Sequence, residues 1–222
     1  MPSLKNAIEN LTKEQLVELL RMASKNLVAM DGTWFQILEE REGMDYAMEI
    51  DIAVWERYPI SEARRLKKFL NLAEYPGLEG LAQALPLYYN TIANETSMHW
   101  EDDALIFRTD VCRVQSARSR KGMEFHPCKP AGINEYTTFA QTIDPRIEVE
   151  CLSCYPEITD PTCGCSWRFT RLCRQGRSRQ VATMKPAQKG FYFVRETLQN
   201  SWAQHIFGEK TLNTRSSCFV TR

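Results

Sequence analysis

Thr96-Ser-Met-His-Trp100, Glu101-Asp-Asp103 and Ala104-Leu-Ile-Phe-Arg-Thr-Asp-Val111 mark the place where the apolar period of the chain changes. Short runs rich in aromatic and β-branched residues on either side of a polar turn predict a β-hairpin. Upstream the pattern is helical. Thr12-Lys-Glu-Gln15 has the form of a capping box, in which hydroxyl and amide satisfy orphan backbone donors. Leu16, Leu19, Leu20, Met22, Ala23, Leu27 and Met30 then recur at helical spacing. Asp31-Gly32 predicts a kink or break, after which Trp34, Phe35, Ile37 and Leu38 resume the stripe. Gly43 punctuates, and Ala47, Ile50, Val54 and Trp55 form the apolar face of the next helix. Ser61, beyond Pro59, is an N-cap for a helix over Glu62–Leu72, and a shorter helix over Leu78–Leu85 ends at Pro86. Residues 1–91 read as an antiparallel helical bundle.

Downstream of the hairpin, Ser116–Lys121 reads as a helix closed by Gly122. Asn134 caps a helix over Glu135–Ile143 that Asp144-Pro145 stops. Arg146–Leu152 and Ser166–Leu172 read as a second pair of strands. The expected fold class is α+β: a helical bundle followed by a compact α+β domain at 92–172, of order ββααββ, with a cysteine-rich site. Residues 173–222 read as a basic linker and C-terminal segment. Arg174–Lys189 has no apolar period, and a strand over Phe191–Val194 and a helix over Leu198–Phe207 follow it.

Composition narrows the class. Of 222 residues, 43% are hydrophobic and 25% charged, which excludes a wholly disordered chain, a membrane bundle and a collagen-like fibre. The 28 basic and 28 acidic side chains cancel, but unevenly. Residues 1–110 carry 11 basic against 19 acidic side chains, and residues 111–222 carry 17 against 9. All eight cysteines lie at or beyond Cys112. The N-terminal stretch has no apolar core of a signal peptide, and no apolar run reaches the ~18 residues of a membrane span. The expected location is cytoplasmic with no membrane partner. Thiols stay reduced there, so eight cysteines favour metal ligation or redox chemistry over disulfides.

Cys151-Leu-Ser-Cys154 followed by Cys163-Gly-Cys165 is the sharpest constellation, because a CxxC at a strand end lets two thiolates converge on one ion. Cys112 ends the hairpin, and His126-Pro-Cys128 lies in a proline-flanked turn. Candidate metal ligands are therefore Cys112, Cys128, Cys151, Cys154, Cys163 and Cys165, for zinc or alternatively an iron–sulfur cluster. The other reading of these residues is unligated core thiols, which pack as small hydrophobes. A second constellation is Asp31, Glu39, Glu40, Glu49 and Asp51: helical spacing cannot keep all five on a solvated face, so one or two point toward a pocket. The basic residues Arg113, Arg118, Arg120, Lys121, Arg168, Arg171, Arg174, Arg177 and Arg179 accompany no nucleic-acid-binding motif, and nucleic acid is not an expected partner. A nucleophile elbow, a phosphate-binding glycine loop and HExxH are absent from the sequence.

Several stretches resemble a family of prokaryotic cytosolic proteins classed only as a domain of unknown function. They are Met30-Asp-Gly-Thr-Trp-Phe35 with Asp51, Arg113-Val-Gln-Ser-Ala-Arg118, Phe125-His-Pro-Cys-Lys129, Ile143-Asp-Pro-Arg-Ile147, Cys151-Leu-Ser-Cys-Tyr-Pro156 and Cys165-Ser-Trp-Arg-Phe169. More distantly, the second half is similar to L-2-amino-thiazoline-4-carboxylic acid hydrolases, with Cys128 and Asp144 matching that family's middle pair and Cys165 its last cysteine. Trp167 departs from the phenylalanine of that pattern. This resemblance implies a hydrolase acting on a small amide- or thiazoline-like ligand, with Cys128 and Asp144 catalytic. A non-enzymatic metal-binding sensor or interaction module is the alternative.

Overall fold

The computed structural model describes residues 4–172. The basic segment 173–222, with the strand and helix expected in it, lies outside the described residues. Among the described residues, eight α-helices and four strands follow in the order α1 (Leu4–Glu9), α2 (Lys13–Glu42), α3 (Met44–Trp55), α4 (Tyr58–Phe69), α5 (Gly77–Ala84), α6 (Tyr89–Ala93), β1 (Glu95–Glu101), β2 (Ala104–Val111), α7 (Arg113–Arg120), α8 (Lys129–Ile143), β3 (Ile147–Cys154) and β4 (Cys165–Arg171). The protein is of mixed α+β class, with one antiparallel sheet of strand order β1-β2-β4-β3.

Thr12 and Gln15 close the capping box that starts α2: the Gln15 amide N–H donates to Thr12 Oγ1 and the Thr12 N–H to Gln15 Oε1. The helix then runs 30 residues without the break expected at Asp31-Gly32. A mid-helix glycine costs about 1 kcal/mol, which Val28 and Phe35, buried one turn to either side, outweigh. The helix stops at Gly43, whose φ of 85° is left-handed backbone that suits glycine. The stripe read as core over residues 16–30 is instead solvent-facing: Leu16, Leu20, Leu27 and Met30 are exposed, whereas Ser24, Val28 and Phe35 face inward. The inward stripe of α3 is also rotated from the expected one. Ala47, Met48, Asp51 and Trp55 are buried while Val54 is exposed.

Two helix starts differ from expectation through proline. The α4 helix begins at Tyr58 with Pro59 in its first turn, and α8 begins at Lys129 with Pro130 in its first turn. Proline suits that position because the missing N–H has no helical partner there. Ser61 and Asn134 are therefore interior residues rather than caps, and Asn134 Nδ2 donates to Ile52 O in α3.

Residues 1–91 and 92–172 share one core. Ala47, Trp55 and Ala63 join Leu81, Tyr88, Leu105, Phe139, Trp167 and Phe169 in a single buried cluster. The α8 helix lies over the sheet face formed by Leu105, Phe107, Trp167 and Phe169, and α3 and α4 pack on α8. Close approach of α8 to the sheet depends on Gly132, where a Cβ would stand 2.9 Å from Trp167 Cζ2. Among the described residues no helix is long and apolar enough to cross a membrane.

Candidate functional site

A cavity of about 290 Å³ opens where α2, α3, α7 and α8 meet the ends of β2, β3 and β4. One part of its wall is carboxylic, with Asp31 from α2, Asp51 from α3 and Glu135 from α8. Another part is thiol, with Cys112, Cys128, Cys154 and Cys165. His126 and the rings of Trp55 and Tyr89 complete the lining used below.

The thiol wall is built by strand register. Cys154 stands opposite Cys165 in the β3–β4 ladder, and Cys151 opposite Trp167. Two residues three apart on a regular strand point to opposite faces. Here a register shift between Cys151 and Ser153 inserts one residue and turns Cys154 to the same face as Cys151. Ser153 takes the opposite face, where its hydroxyl accepts from the Thr159 and Asp160 amides at 3.1 Å each. The Cys154 thiol thereby lies within hydrogen-bonding reach of Cys128, Cys151 and Cys165, with Cys128 Sγ at 3.6 Å.

The environments push these thiols apart. Cys165 is lowered to about 7, first by the Cys154 thiol donating to it, then by the Thr109 hydroxyl and by Trp167 Nε1–H at 3.3 Å. Cys151 is lowered as well, by the Cys154 thiol and by the positive charge of Lys129. Cys154, donor to its neighbours, is raised above the usual thiol range, and Cys112 is pushed up to about 12 by burial. Cys163 does not join the cluster: it is buried beside the Asp160 carbonyl at 3.8 Å and does not line the cavity.

The carboxylate wall is held from α3 and α7. Asp51 is buried, with Oδ1 accepting from Trp55 Nε1 at 2.8 Å. Its Oδ2 lies 3.2 Å from His126 Nε2 outside hydrogen-bonding geometry and has no hydrogen-bond partner. Gln115 holds the His126 backbone on both sides, donating to its carbonyl at 2.7 Å and accepting from its amide at 3.0 Å. The imidazole packs on Phe35 with ring centroids 4.3 Å apart, and Nε2 also meets Met48 Sδ at 3.2 Å. Burial, then the negative charge of Asp51, raises Asp31 to about 6. Burial raises Glu135 to about 8 although Asn90 Nδ2 donates to it at 2.8 Å. Arg118 closes this side: buried over the Phe35 ring, it binds both carboxylate oxygens of Glu39 at 2.7 Å.

Asp144 stands apart from the cavity. Its side chain is buried, and Gly77 N–H, Arg146 N–H and the Arg146 guanidinium together saturate its oxygens. The guanidinium holds it down at about 2. This carboxylate joins the start of α5 to the α8–β3 turn, and the carboxyl groups that face the thiols are those of Asp31, Asp51 and Glu135. Of the other residues singled out in the sequence, Cys128, Cys154 and Cys165 are brought together on the cavity wall, Cys151 lies behind them, and Cys112 lines the cavity a short way off. Among the described residues no three His, Cys, Asp or Glu side chains are disposed to hold a metal ion as they stand.

Fold and site together define an α+β protein that encloses a thiol-and-carboxylate cavity. The chain belongs to the family of unknown function DUF6125, which matches residues 9–171 and so spans the whole cavity. No curated protein matches the chain.

Proposed function

We propose that the protein is an enzyme that hydrolyses a small amide- or thiazoline-like molecule in this cavity, with a thiolate as nucleophile. The observation that carries the reading is the pairing of an activated thiol, Cys165, with ionisable groups of a second kind across one small cavity. A thiolate near neutrality attacks the electrophilic carbon of a carbonyl or C=N group, and a C–S bond forms. The leaving nitrogen or ring heteroatom then departs with a proton. Asp31, poised at about 6 beside Asp51 and His126, is placed to exchange that proton near neutral pH. Water next cleaves the C–S bond, releases the product and regenerates the thiol. Cys154 donates its hydrogen bond to Cys165 while thiolate is present. Cys128, 3.6 Å from Cys154, supports that donor from the start of α8.

The test is turnover on a panel of thiazoline and amide substrates by wild-type protein, Cys165→Ser and Cys163→Ser. Cys165→Ser is expected to lower kcat by roughly three orders of magnitude, while Cys163→Ser, outside the cavity, leaves it unchanged. Full turnover by Cys165→Ser, or hydrolysis of nothing in the panel by wild type, sinks the proposal.

A second reading is supported by one distance. Thiolates at ~2.3 Å from a tetrahedral zinc lie about 3.8 Å from one another, close to the 3.6 Å between Cys128 and Cys154. In this reading Cys128, Cys151, Cys154 and Cys165 close a structural zinc site without catalysis. Elemental analysis of anaerobically purified protein decides between them, since one zinc per chain, lost in Cys151→Ser, is required by the second reading alone.

A further inference from the structure

We infer that the protein self-associates through α2, whose exposed apolar seam pairs with the same seam of a second copy in an antiparallel coiled coil. The inference concerns the outer face of α2 and stands apart from the hydrolytic reading of the cavity.

The first observation is the spacing of the seam. Leu16, Leu20, Ala23, Leu27, Met30, Trp34 and Ile37 follow one another at intervals of four and three residues in turn. That is the seven-residue repeat by which one helix winds on another. All of these residues are exposed, and the two largest at its centre and end stand furthest out, Met30 being 61% and Trp34 65% exposed. Ser24, Val28 and Phe35, each one residue beyond a seam position, are the side chains that α2 buries against the rest of the fold. The helix therefore serves its own core with one stripe and keeps a second stripe, about 32 Å long, open beside it.

The second observation is area. With Leu19 and Met22 at its side, the seam presents roughly 750 Å² of open apolar surface. A soluble monomer rarely leaves more than a few hundred Å² of contiguous apolar surface in water. A standard specific interface takes about 800 Å² from each partner, so the open surface matches one half of such an interface.

Charge and bulk select a second copy, running in reverse. Lys13 and Arg41 occupy the seam positions directly before and after the apolar run, and among the described residues neither is ion-paired. In a parallel pair each would face its own counterpart, cation against cation. In an antiparallel pair Lys13 lies at the end of the second helix that carries Glu40 and Glu42, and Arg41 at the end that carries Glu14. The same arrangement sets Trp34, the largest side chain of the seam, opposite Ala23, the smallest, with Leu27 against Met30 and Leu20 against Ile37. A seam whose ends and whose large and small positions complement one another in reverse is matched by a copy of itself.

Sedimentation equilibrium of the full chain over about 5–200 µM is the assay, because an interface of this size holds with micromolar affinity or better. Wild type is expected to be dimeric at the upper end of that range. Leu20→Glu and Met30→Glu, at open positions where the monomer loses little, are each expected to weaken the dimer about tenfold or more. Lys13→Glu is expected to weaken it roughly threefold, and Lys13→Glu/Glu40→Lys to restore it. Glutamate in the first turn of a helix and lysine in the last favour the helix, so a weaker Lys13→Glu dimer does not arise from a weaker α2. The two seam variants are read separately, so that loss of folding in one leaves the other as a test. A monomer throughout the range, as expected if the seam served a different protein or a lipid surface, overturns the inference. An undiminished dimer in folded Leu20→Glu or Met30→Glu protein does the same, and failure of Glu40→Lys to restore Lys13→Glu overturns the antiparallel pairing.

Discussion

Replacing Glu135 by glutamine isolates the energetic consequence of burying an acid in the cavity wall. Glu135 is 6% exposed, and its folded-state value of about 8 lies well above the 4.5 of an unperturbed glutamate. The folded protein therefore keeps this proton over a range in which the unfolded chain has released it. With more protons bound in the folded state, stability falls as pH rises from about 4.5 to about 8. At about 1.36 kcal/mol per unit, the loss is within about 1 kcal/mol at about pH 5 and roughly 3 kcal/mol at about pH 7. The side chain introduced by Glu135→Gln does not titrate, and its oxygen can still accept from Asn90 Nδ2. The variant should match wild type at about pH 5 and exceed it by roughly 3 kcal/mol at about pH 7, with about 2–4 °C in Tm per kcal/mol. Urea unfolding at intervals of about one pH unit across that range measures the difference directly. A wild-type-to-variant difference that stays constant across the series would refute the reasoning.

Two further changes test the supports of the cavity. Arg118→Met removes the buried partner of the partly exposed Glu39 carboxylate and should cost about 1–3 kcal/mol, part of it recovered in Arg118→Met/Glu39→Leu, as urea midpoints will report. Asp144→Asn removes a carboxylate whose value is depressed to about 2, so its contribution is present above the ordinary value of 3.8 and lost as pH falls through about 2. Because the Arg146 side chain is 41% exposed, the expected loss near neutral pH is only about 1–2 kcal/mol. Acid titrations of Asp144→Asn and wild type should converge near about pH 2.

How much of this was legible in the sequence depended on how local the cause was. The hairpin around Glu101-Asp-Asp103 could be read because turn and alternation lie within a few residues of one another; Ala104 pairs with Glu101 as the turn requires. The Thr12 cap was legible for the same reason. The inward acid among Asp31, Glu39, Glu40, Glu49 and Asp51 was expected as a group, but only the packing of α3 on α8 singles out Asp51, by rotating Val54 to the surface. The stripe over residues 16–30 of α2 has a periodicity that says a face is apolar without saying that anything covers it. Clustering of the thiols depends on one inserted residue in β3, for which Cys151-Leu-Ser-Cys154 carries no signal. Regular alternation would have separated the pair. Glu135 and Gln115 were missed because each looks like an ordinary helical polar residue until the neighbouring segment folds over it. For Gln115 the spacing to His126-Pro-Cys128 was the only hint.

The ancestry of the cavity walls has a consequence for how this site can vary. The acids Asp31 and Asp51 belong to the cysteine-free half of the chain, and the thiols Cys112, Cys128, Cys154 and Cys165 to the other. Glu135 is the one wall acid that lies among the thiols in sequence, so the second half of the chain alone keeps the thiol wall with one acid, and the first half alone keeps two acids and no thiol. A lineage that loses the register shift in β3 would turn Cys154 to the other face of the sheet, while Asp31, Asp51 and the rings of Trp55 and Tyr89 would still line the cavity.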